Sequence, residues 1–492
     1  MSVEARDSKW HLTSVLDVSE KRPKLIALNA FDTSERNFGI AMDIGTTTVV
    51  MALVDLNTGK VLAQASDYNK QIMCGEDILS RIAFAEDGGL RRLNRLLLET
   101  INSLVAQVVV QGDVCVPKSK RVCREEITAL AVAGNTTMVH LFLGLHPRGI
   151  RYEPYVSTAN IPSTYKARDL TVHIHPNAPV HCVPGRASYV GGDIVADVIC
   201  SGMAEAKETS LLIDVGTNGE VVLGNDDFLV ACSCSAGPAF EGGEVKAGVR
   251  AMQGAIEKVE ITRDLELKYS TIGGQVPRGI CGSGLIDLVA ALYRRGIVDR
   301  RGTIQEIPWN RVRRTENGRE FVVAWAEETK RKMSTEAKAR SGVWDAVENG
   351  HGDIAVSDDD IANIIRTKAA LYAACEVLLD SVHMSMSEVE RVYIAGGFGN
   401  HIDLGNAIGI GLLPDLPHGR FEFLGNASLG GARLALLSSE MRKKALSVHK
   451  RMTYLELTTD NRFFDRFTSA SFLPHTDMDK FPTVKERLDR GD

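Results

Sequence analysis

One short pattern occurs twice in this chain, and it limits the fold more than any other feature of the sequence. The first copy is Ala41-Met42-Asp43-Ile44-Gly45-Thr46-Thr47-Thr48-Val49-Val50; the second is Leu212-Ile213-Asp214-Val215-Gly216-Thr217-Asn218-Gly219-Glu220-Val221. Each reads as an apolar strand ending in Asp, a Gly-Thr turn and a second apolar strand. Such a turn can aim backbone N–H groups and small hydroxyls at one spot, which is how phosphate oxygens are held without an intervening large side chain. Two Asp carboxylates facing each other across a cleft would suit a hydrated Mg²⁺ and an attacking water. A single Gly-Thr turn is common in hairpins. Two copies in one strand–turn–strand context point to a duplicated domain that clamps a nucleotide.

The surroundings of the two copies repeat as well. Ile40 to Asp43, Val49 to Asp55 and Val61 to Ala65 read as three strands, the last two joined at Asn57-Thr58-Gly59. Leu211 to Asp214, Gly219 to Leu223 and Phe228 to Ala231 repeat that order, with a turn at Asn225-Asp226-Asp227. Leu93, Leu96, Leu97, Ile101 and Leu104 fall at helical spacing within Leu90 to Val110. Ile127 to Ala133 reads as a buried strand running into a helix that ends near Leu143, Ile361 to Val382 as a long helix, Val392 to Ala395 as a strand, and Asn426 to Leu437 as a helix with a small-residue face.

The domain expectation is therefore a linker-like segment 1–37, a first lobe 38–208 with an irregular insertion 146–186, and a second lobe 209–492. The second lobe would carry a charged insertion 300–358 and C-terminal helices; the tail after Ser438 is mixed. At 492 residues the chain exceeds one compact core.

Three glycine-rich segments join the two loops. Gly396-Gly397-Phe398-Gly399-Asn400 follows a strand, where a backbone without Cβ atoms can approach a flat ligand, so it is a candidate for the adenosine end of a site. Ala133-Gly134-Asn135-Thr136-Thr137 lies between strand and helix, where Asn135 and Thr136 can cap the helix or face an anion at its N-terminus. Ser235-Ala236-Gly237-Pro238-Ala239-Phe240-Glu241-Gly242-Gly243 is a small-residue loop with one acid, Glu241. Gly75-Glu76-Asp77-Ile78 and Gly191-Gly192-Asp193-Ile194 share a pattern for which acidic charge at a helix start is a sufficient account. Cys232-Ser233-Cys234 sits among strand residues and reads as buried free thiols, and His173, His175 and His181 lack the companions of a zinc site.

Other nucleotide-binding classes are excluded. No G-x-x-x-x-G-K-[ST] occurs, because Gly59-Lys60 is followed by Val61, and the dinucleotide pattern G-x-G-x-x-G is missing. A formal net charge of −6 gives no general attraction to nucleic acid or to anionic membranes. No stretch reaches the roughly 18 continuous apolar residues of a spanning helix, the first 24 residues lack a signal-peptide core, and the odd cysteine count of nine fits a reduced compartment. The expectation is a cytoplasmic protein with no nucleic-acid or membrane partner.

Taken together, the two Asp-Gly-Thr loops, Ala133 to Thr137, Ala236 to Gly243, Gly279-Ile280-Cys281-Gly282-Ser283-Gly284 and Ala395 to Gly399 resemble the ATPase domain of the reductive activators of corrinoid proteins, within the superfamily of acetate and sugar kinases, heat-shock ATPases and actin. The resemblance covers roughly residue 38 to the end. It implies an α/β fold of duplicated ribonuclease H-like lobes around a central ATP cleft. It implies ATP and Mg²⁺ as cofactors, with Asp43 and Asp214 as catalytic residues that hold the metal through water. The phosphates would lie on Gly45, Thr46, Thr47, Thr48, Asn135, Thr136, Gly216, Thr217, Asn218, Gly219, Glu220, Gly237 and Glu241, and the adenosine on Gly396, Gly397, Phe398 and Gly399. The implied activity is ATP-driven reduction of cob(II)amide to cob(I)amide in a corrinoid partner protein of a methyl-transfer system, and a homodimer is expected. A small-molecule kinase and a chaperone-like ATP-binding module use the same superfamily fold.

The chain departs from the family pattern at its cysteines. Activators of this family carry an iron–sulfur domain, whereas the first cysteine here is Cys74 and neither C-x₂-C nor C-x₄-C-x₂-C spacing occurs. No iron–sulfur cluster is expected in this sequence, so a separate ferredoxin or reductase is expected to supply the electron.

Overall fold

The computed structural model describes residues 6–19, 22–112, 122–216, 218–316, 318–329, 352–397 and 402–490. They form two compact units, each assembled from separate stretches of chain. The first unit takes 1–209, 224–231 and 426–455; the second takes 210–223, 232–425 and 456–492.

The first unit opens with a hairpin, β1 (Leu12–Asp17) against β2 (Lys24–Ala30), so the linker-like reading of 1–37 is corrected. Exposure alternates along Leu12–Asp17 although its residue types, Leu-Thr-Ser-Val-Leu-Asp, do not, so the strand carries no period-two signal in the sequence. Its main sheet uses β3 (Phe38–Ile44), β4 (Thr48–Asp55), β5 (Val61–Tyr68), β6 (Ile127–Gly134), β7 (Tyr165–Lys166) and β8 (Pro179–Cys182), in the order β5-β4-β3-β6-β8-β7. β3, β4 and β5 run antiparallel, while β6 lies parallel to β3 and β8 parallel to β6. The segment 146–186 thus supplies two strands of the sheet and is no plain insertion. Its proline and four-residue strand length hid it, since proline removes a ladder donor and is tolerated only where a strand begins or at an edge.

Period two assigns the faces of β3. Ile40, Met42 and Ile44 join a fully buried core with Leu93, Leu97, Ile101 and Leu104 of the Leu90–Gly112 helix. The run Ile78–Gly112 has the length and apolarity of a membrane-spanning helix, but its apolar stripe is the stripe that fills this core. Asp87 and Gly88 also interrupt its helical backbone. The opposite face, with Gly39, Ala41 and Asp43, meets the Ala427–Leu437 helix; a Cβ on Gly39 would stand 3.1 Å from Leu436. That helix packs in turn on the Gly192–Ser201 helix, where a Cβ on Gly431 would collide with the carbonyl of Ala196. Its small-residue face is what admits the close approach.

In the second unit, β9 (Ser210–Val215), β10 (Gly219–Gly224) and β11 (Leu229–Cys234) begin the main sheet. Two three-stranded sheets follow: β12 (Ala255–Ile261), β13 (Leu267–Thr271) and β14 (Gly279–Ile280), then β15 (Val312–Thr315), β16 (Gly318–Ala324) and β17 (Ile354–Ser357). The last of these falls within the expected charged insertion 300–358, of which 330–351 lie outside the described residues. With β18 (Arg391–Ala395), β19 (Phe421–Gly425) and β20 (Met452–Tyr454), the main sheet runs β19-β18-β9-β10-β11-β20; Leu229–Ala231 and β20 are grouped with the first unit.

Counted from each Asp-bearing strand, β11-β10-β9-β18-β19 repeats the order β5-β4-β3-β6-β8. The duplication inferred from two ten-residue patterns extends to whole sheets. The division of the chain is less simple than a boundary near residue 208, because 426–455 return to the first unit.

Candidate functional site

In the first unit, β3 delivers Asp43 to the C-terminal end of the sheet, beside Ala133 of β6. The turn after it is closed by Gly45 N–H donating to the Thr48 carbonyl at 3.0 Å. A Cβ on Gly45 would stand 2.5 Å from that same carbonyl oxygen, so only glycine fits. Asn135 then ties the turn to the next element. Its Nδ2 donates to the Thr46 hydroxyl at 3.0 Å while its Oδ1 accepts from Met138 N–H and caps the Thr136–Leu143 helix.

The carboxylate of Asp43 is held by residues the sequence reading did not single out. Asn426 Nδ2 donates to Oδ2 at 2.9 Å, and Ser428 Oγ donates to Oδ1 at 3.0 Å. Asn426 also caps the Ala427–Leu437 helix through Leu429 N–H, which places Asp43 at the positive end of that helix. Lost hydration nevertheless prevails over both hydrogen bonds and holds the carboxyl above its ordinary range. Each oxygen accepts one donor and keeps a further lone pair, so a water can still be accepted there.

The second unit repeats the frame. Asp214, the penultimate residue of β9, lies beside Ala395 of β18, and Gly216 N–H closes the turn on the Asn218 carbonyl at 3.1 Å. The glycine at the C-terminal end of the neighbouring strand is equivalent in both units: Gly134 closes β6 and Gly396 follows β18. A Cβ on Gly134 would stand 2.9 Å from the Ile44 carbonyl oxygen, and one on Gly396 would collide with the Val215 carbonyl and stand 3.0 Å from Asp214 Oδ1. Gly396 also adopts φ +106°, which side-chain-bearing residues avoid. Thus Ala133-Gly134-Asn135 and Ala395-Gly396-Gly397 are the same position in the two halves, although only the second reads as an adenosine candidate. Among the described residues, nothing lies within 4 Å of where a Gly397 Cβ would be.

Near the second loop, Glu241 Oε1 lies 3.7 Å from where a Gly216 Cβ would be. Gly237, at φ +80°, turns the chain ahead of it. Glu220 is buried on β10 and accepts from the Ser233 hydroxyl at 3.2 Å.

Some expected residues have other tasks. The Thr136 hydroxyl donates to the Ala187 carbonyl at 2.7 Å and is buried, and Gly219 makes room for Leu371 of the Asp358–Ser381 helix and for Cys234. Gly191, read as part of a helix-start pattern, packs on the backbone of Asn135 and Thr136, 2.6 Å from a would-be Cβ. Cys232 and Cys234 are buried free thiols, held well above the ordinary range by burial. Thr217, Phe398 and Gly399 lie outside the described residues.

Known proteins carry the same architecture. The family described as the RACo middle region matches residues 38–206, and the C-terminal domain of RACo, the ASKHA domain, matches 208–340 and 330–485. The corrinoid activation enzyme RamQ of Eubacterium limosum is 34% identical over 440 residues, covering 87% of this chain and 69% of its own length. The Co(II) methylated amine-specific corrinoid protein reductase of Methanosarcina barkeri is 22% identical over 458 residues, covering 87% of this chain and 75% of its own. A solved reductive activator for corrinoid, iron–sulfur protein superposes with a TM-score of 0.86 at 44% identity, covering 98% of this chain and 73% of that one. With both family regions matched in order along nearly all of its length, the chain belongs to the RACo family, the reductive activators of corrinoid proteins.

Proposed function

We propose that this chain binds ATP with Mg²⁺ and uses its hydrolysis to drive reduction of a corrinoid protein from cob(II)amide to cob(I)amide. The observation that carries the ATP site is the repeated frame: Asp43 and Asp214 are each the penultimate residue of the equivalent strand of an equivalent sheet, each followed by a glycine turn closed on itself. The corrinoid target follows from family membership and from the activities named for RamQ and the Methanosarcina barkeri reductase.

The residues present fit the groups the reading requires. Hard carboxylate oxygens suit magnesium, and the Gly45 and Gly216 turns leave no side chain between backbone and phosphate. Asp43 and Asp214 would hold the ion through water, and the ion when bound offsets phosphate charge. One of the two carboxylates orients the water that attacks the γ-phosphorus, giving ADP and phosphate. Gly396 and Gly397 are the described residues that would border the adenosine.

The electron balance is separate. One electron passes from a separate ferredoxin or reductase to Co(II), giving Co(I). ATP contributes through differential affinity of the nucleotide states for the partner.

The test combines the full chain, a cob(II)amide protein and a low-potential reductant, following cob(I)amide by absorbance and ADP by a coupled assay. ATP-dependent formation of cob(I)amide, with ATP loss stimulated by the corrinoid protein, supports the reading. Phosphoryl transfer to a metabolite with little hydrolysis would establish a small-molecule kinase instead, and absence of nucleotide binding in calorimetry would remove the reading altogether.

A further inference from the structure

Behind the first loop lies a cation that the reading above leaves without a task. Arg81, four residues beyond the capping Asp77, is fully buried. Its Nε donates to the Gly75 carbonyl at 2.9 Å, and its Nη1 donates to Gln71 Oε1 and lies against Met138 Sδ, both at 3.3 Å. Its Nη2 is buried without a hydrogen-bond partner. No carboxylate among the described residues pairs with it; Asp77 acts on it only through its field. Burial pushes the guanidinium down to about 10, which still leaves it charged at neutral pH. A buried cation without a paired anion is costly to the fold, and an anionic ligand nearby would offset that cost.

The bonds from Arg81 lead to the phosphate turn. Gln71 Oε1 also accepts from Asn69 Nδ2 at 3.3 Å, and that amide reaches the Gly45 carbonyl at 3.1 Å. The Asn69 backbone N–H donates to the Thr47 carbonyl at 2.9 Å. Asn69 and Gln71 are both fully buried. Two carbonyls of the turn are therefore drawn back toward one polar bracket with a positive charge at its far end.

We propose that Arg81 is a positioning residue for the first phosphate loop, acting through Gln71 and Asn69, and that its unpaired charge makes nucleotide affinity depend on the number of phosphate charges. The proposal rests on the reading of Gly45 to Thr48 as a phosphate loop. Arg81 touches no ligand itself. Its effect is a field that the low-dielectric interior transmits, together with the orientation of the turn.

Calorimetry on the full chain with ATP, ADP and AMP tests it. Arg81→Met is expected to weaken ATP by about tenfold, ADP by less and AMP little, with Arg81→Lys recovering part of the ATP loss. Gln71→Glu sets an anion beside Arg81 and is expected to reproduce the graded loss, so the test survives a failure of Arg81→Met to fold. Equal losses for the three nucleotides in the folded variants, or no loss, would overturn the proposal. A wild-type chain that binds none of them overturns the phosphate-loop reading and this proposal together; binding by wild type with ungraded losses overturns this proposal alone.

Discussion

Asp43 shows how a carboxylate acquires its chemistry from neighbours distant in sequence. Asn426 and Ser428 fix both of its oxygens, while burial keeps the carboxyl above its ordinary range. Asp43→Asn keeps an acceptor for Asn426 and turns its amide toward the Ser428 hydroxyl, which can accept, while removing the negative charge that the proposed metal site requires. ATP turnover is expected to fall by roughly a hundredfold or more, with the folded baseline in circular dichroism retained. Retained turnover would remove Asp43 from the machinery. The paired glycines give a second, graded prediction. Gly396→Ala combines a collision with the Val215 carbonyl and an unfavourable φ, whereas Gly134→Ala meets the Ile44 carbonyl at 2.9 Å with ordinary φ. The first is expected to destabilise by about 2–4 kcal/mol and the second by less, measured by denaturant unfolding. The reverse order would show that the two positions are not held as the geometry indicates.

At the scale of elements, the Ala427–Leu437 helix joins two tasks. Its N-terminus anchors Asp43, and its small face packs against the Gly192–Ser201 helix, where Gly431 meets Ala196 and a Cβ on Gly430 would stand 2.6 Å from Cys200 Sγ. Gly431→Leu must separate the helices and is expected to cost about 3 kcal/mol or more, whereas Arg433→Ala, on the exposed side of the same helix, should change stability by under about 0.5 kcal/mol. Because the helix also carries Asn426 and Ser428, Gly431→Leu should weaken nucleotide binding too. Loss of stability with unchanged ATP affinity would separate the two tasks. The two Gly-x-Asp-Ile patterns show how one motif serves different elements. Asp77 is a helix cap that sets the position of Arg81, while Gly191 is itself the cap residue and packs on Asn135.

At the scale of the whole molecule, His475 in the C-terminal segment of the second unit is expected to make folding sensitive to acid. Lys368, fully buried on the Asp358–Ser381 helix, donates to the carbonyls of Phe472 at 2.5 Å and Pro474 at 2.6 Å, and Lys480 pairs with Glu376. His475 beside them is pushed down to about 4, mainly by burial and then by Lys480 and Lys368. Its folded value lies below the ordinary 6.5, so the unfolded chain binds the proton first as pH falls. The stabilisation is complete above about pH 6.5 and declines toward pH 4, by up to about 3 kcal/mol. Unfolding measured across that range should show a decline that His475→Gln reduces, and an equal decline in the variant would assign it to other groups. What the sequence determined by itself was local and periodic: the two Asp-Gly-Thr turns, the strands that flank them, the apolar stripe from Leu93 to Leu104 and the glycines that permit close backbone approach. Those signals are written in neighbouring residues, because pleat, helical period and turn geometry act over a few positions. Only the tertiary structure showed that Gly134 and Gly396 are equivalent, that Pro179–Cys182 is a sheet strand, that 426–455 return to the first unit, that Asn426 and Ser428 hold Asp43, and that Asn69 links the first loop to Gln71 and Arg81. Those relations depend on which buried polar groups meet across hundreds of residues of chain, and packing and hydrogen-bond satisfaction settle them only once the chain has folded.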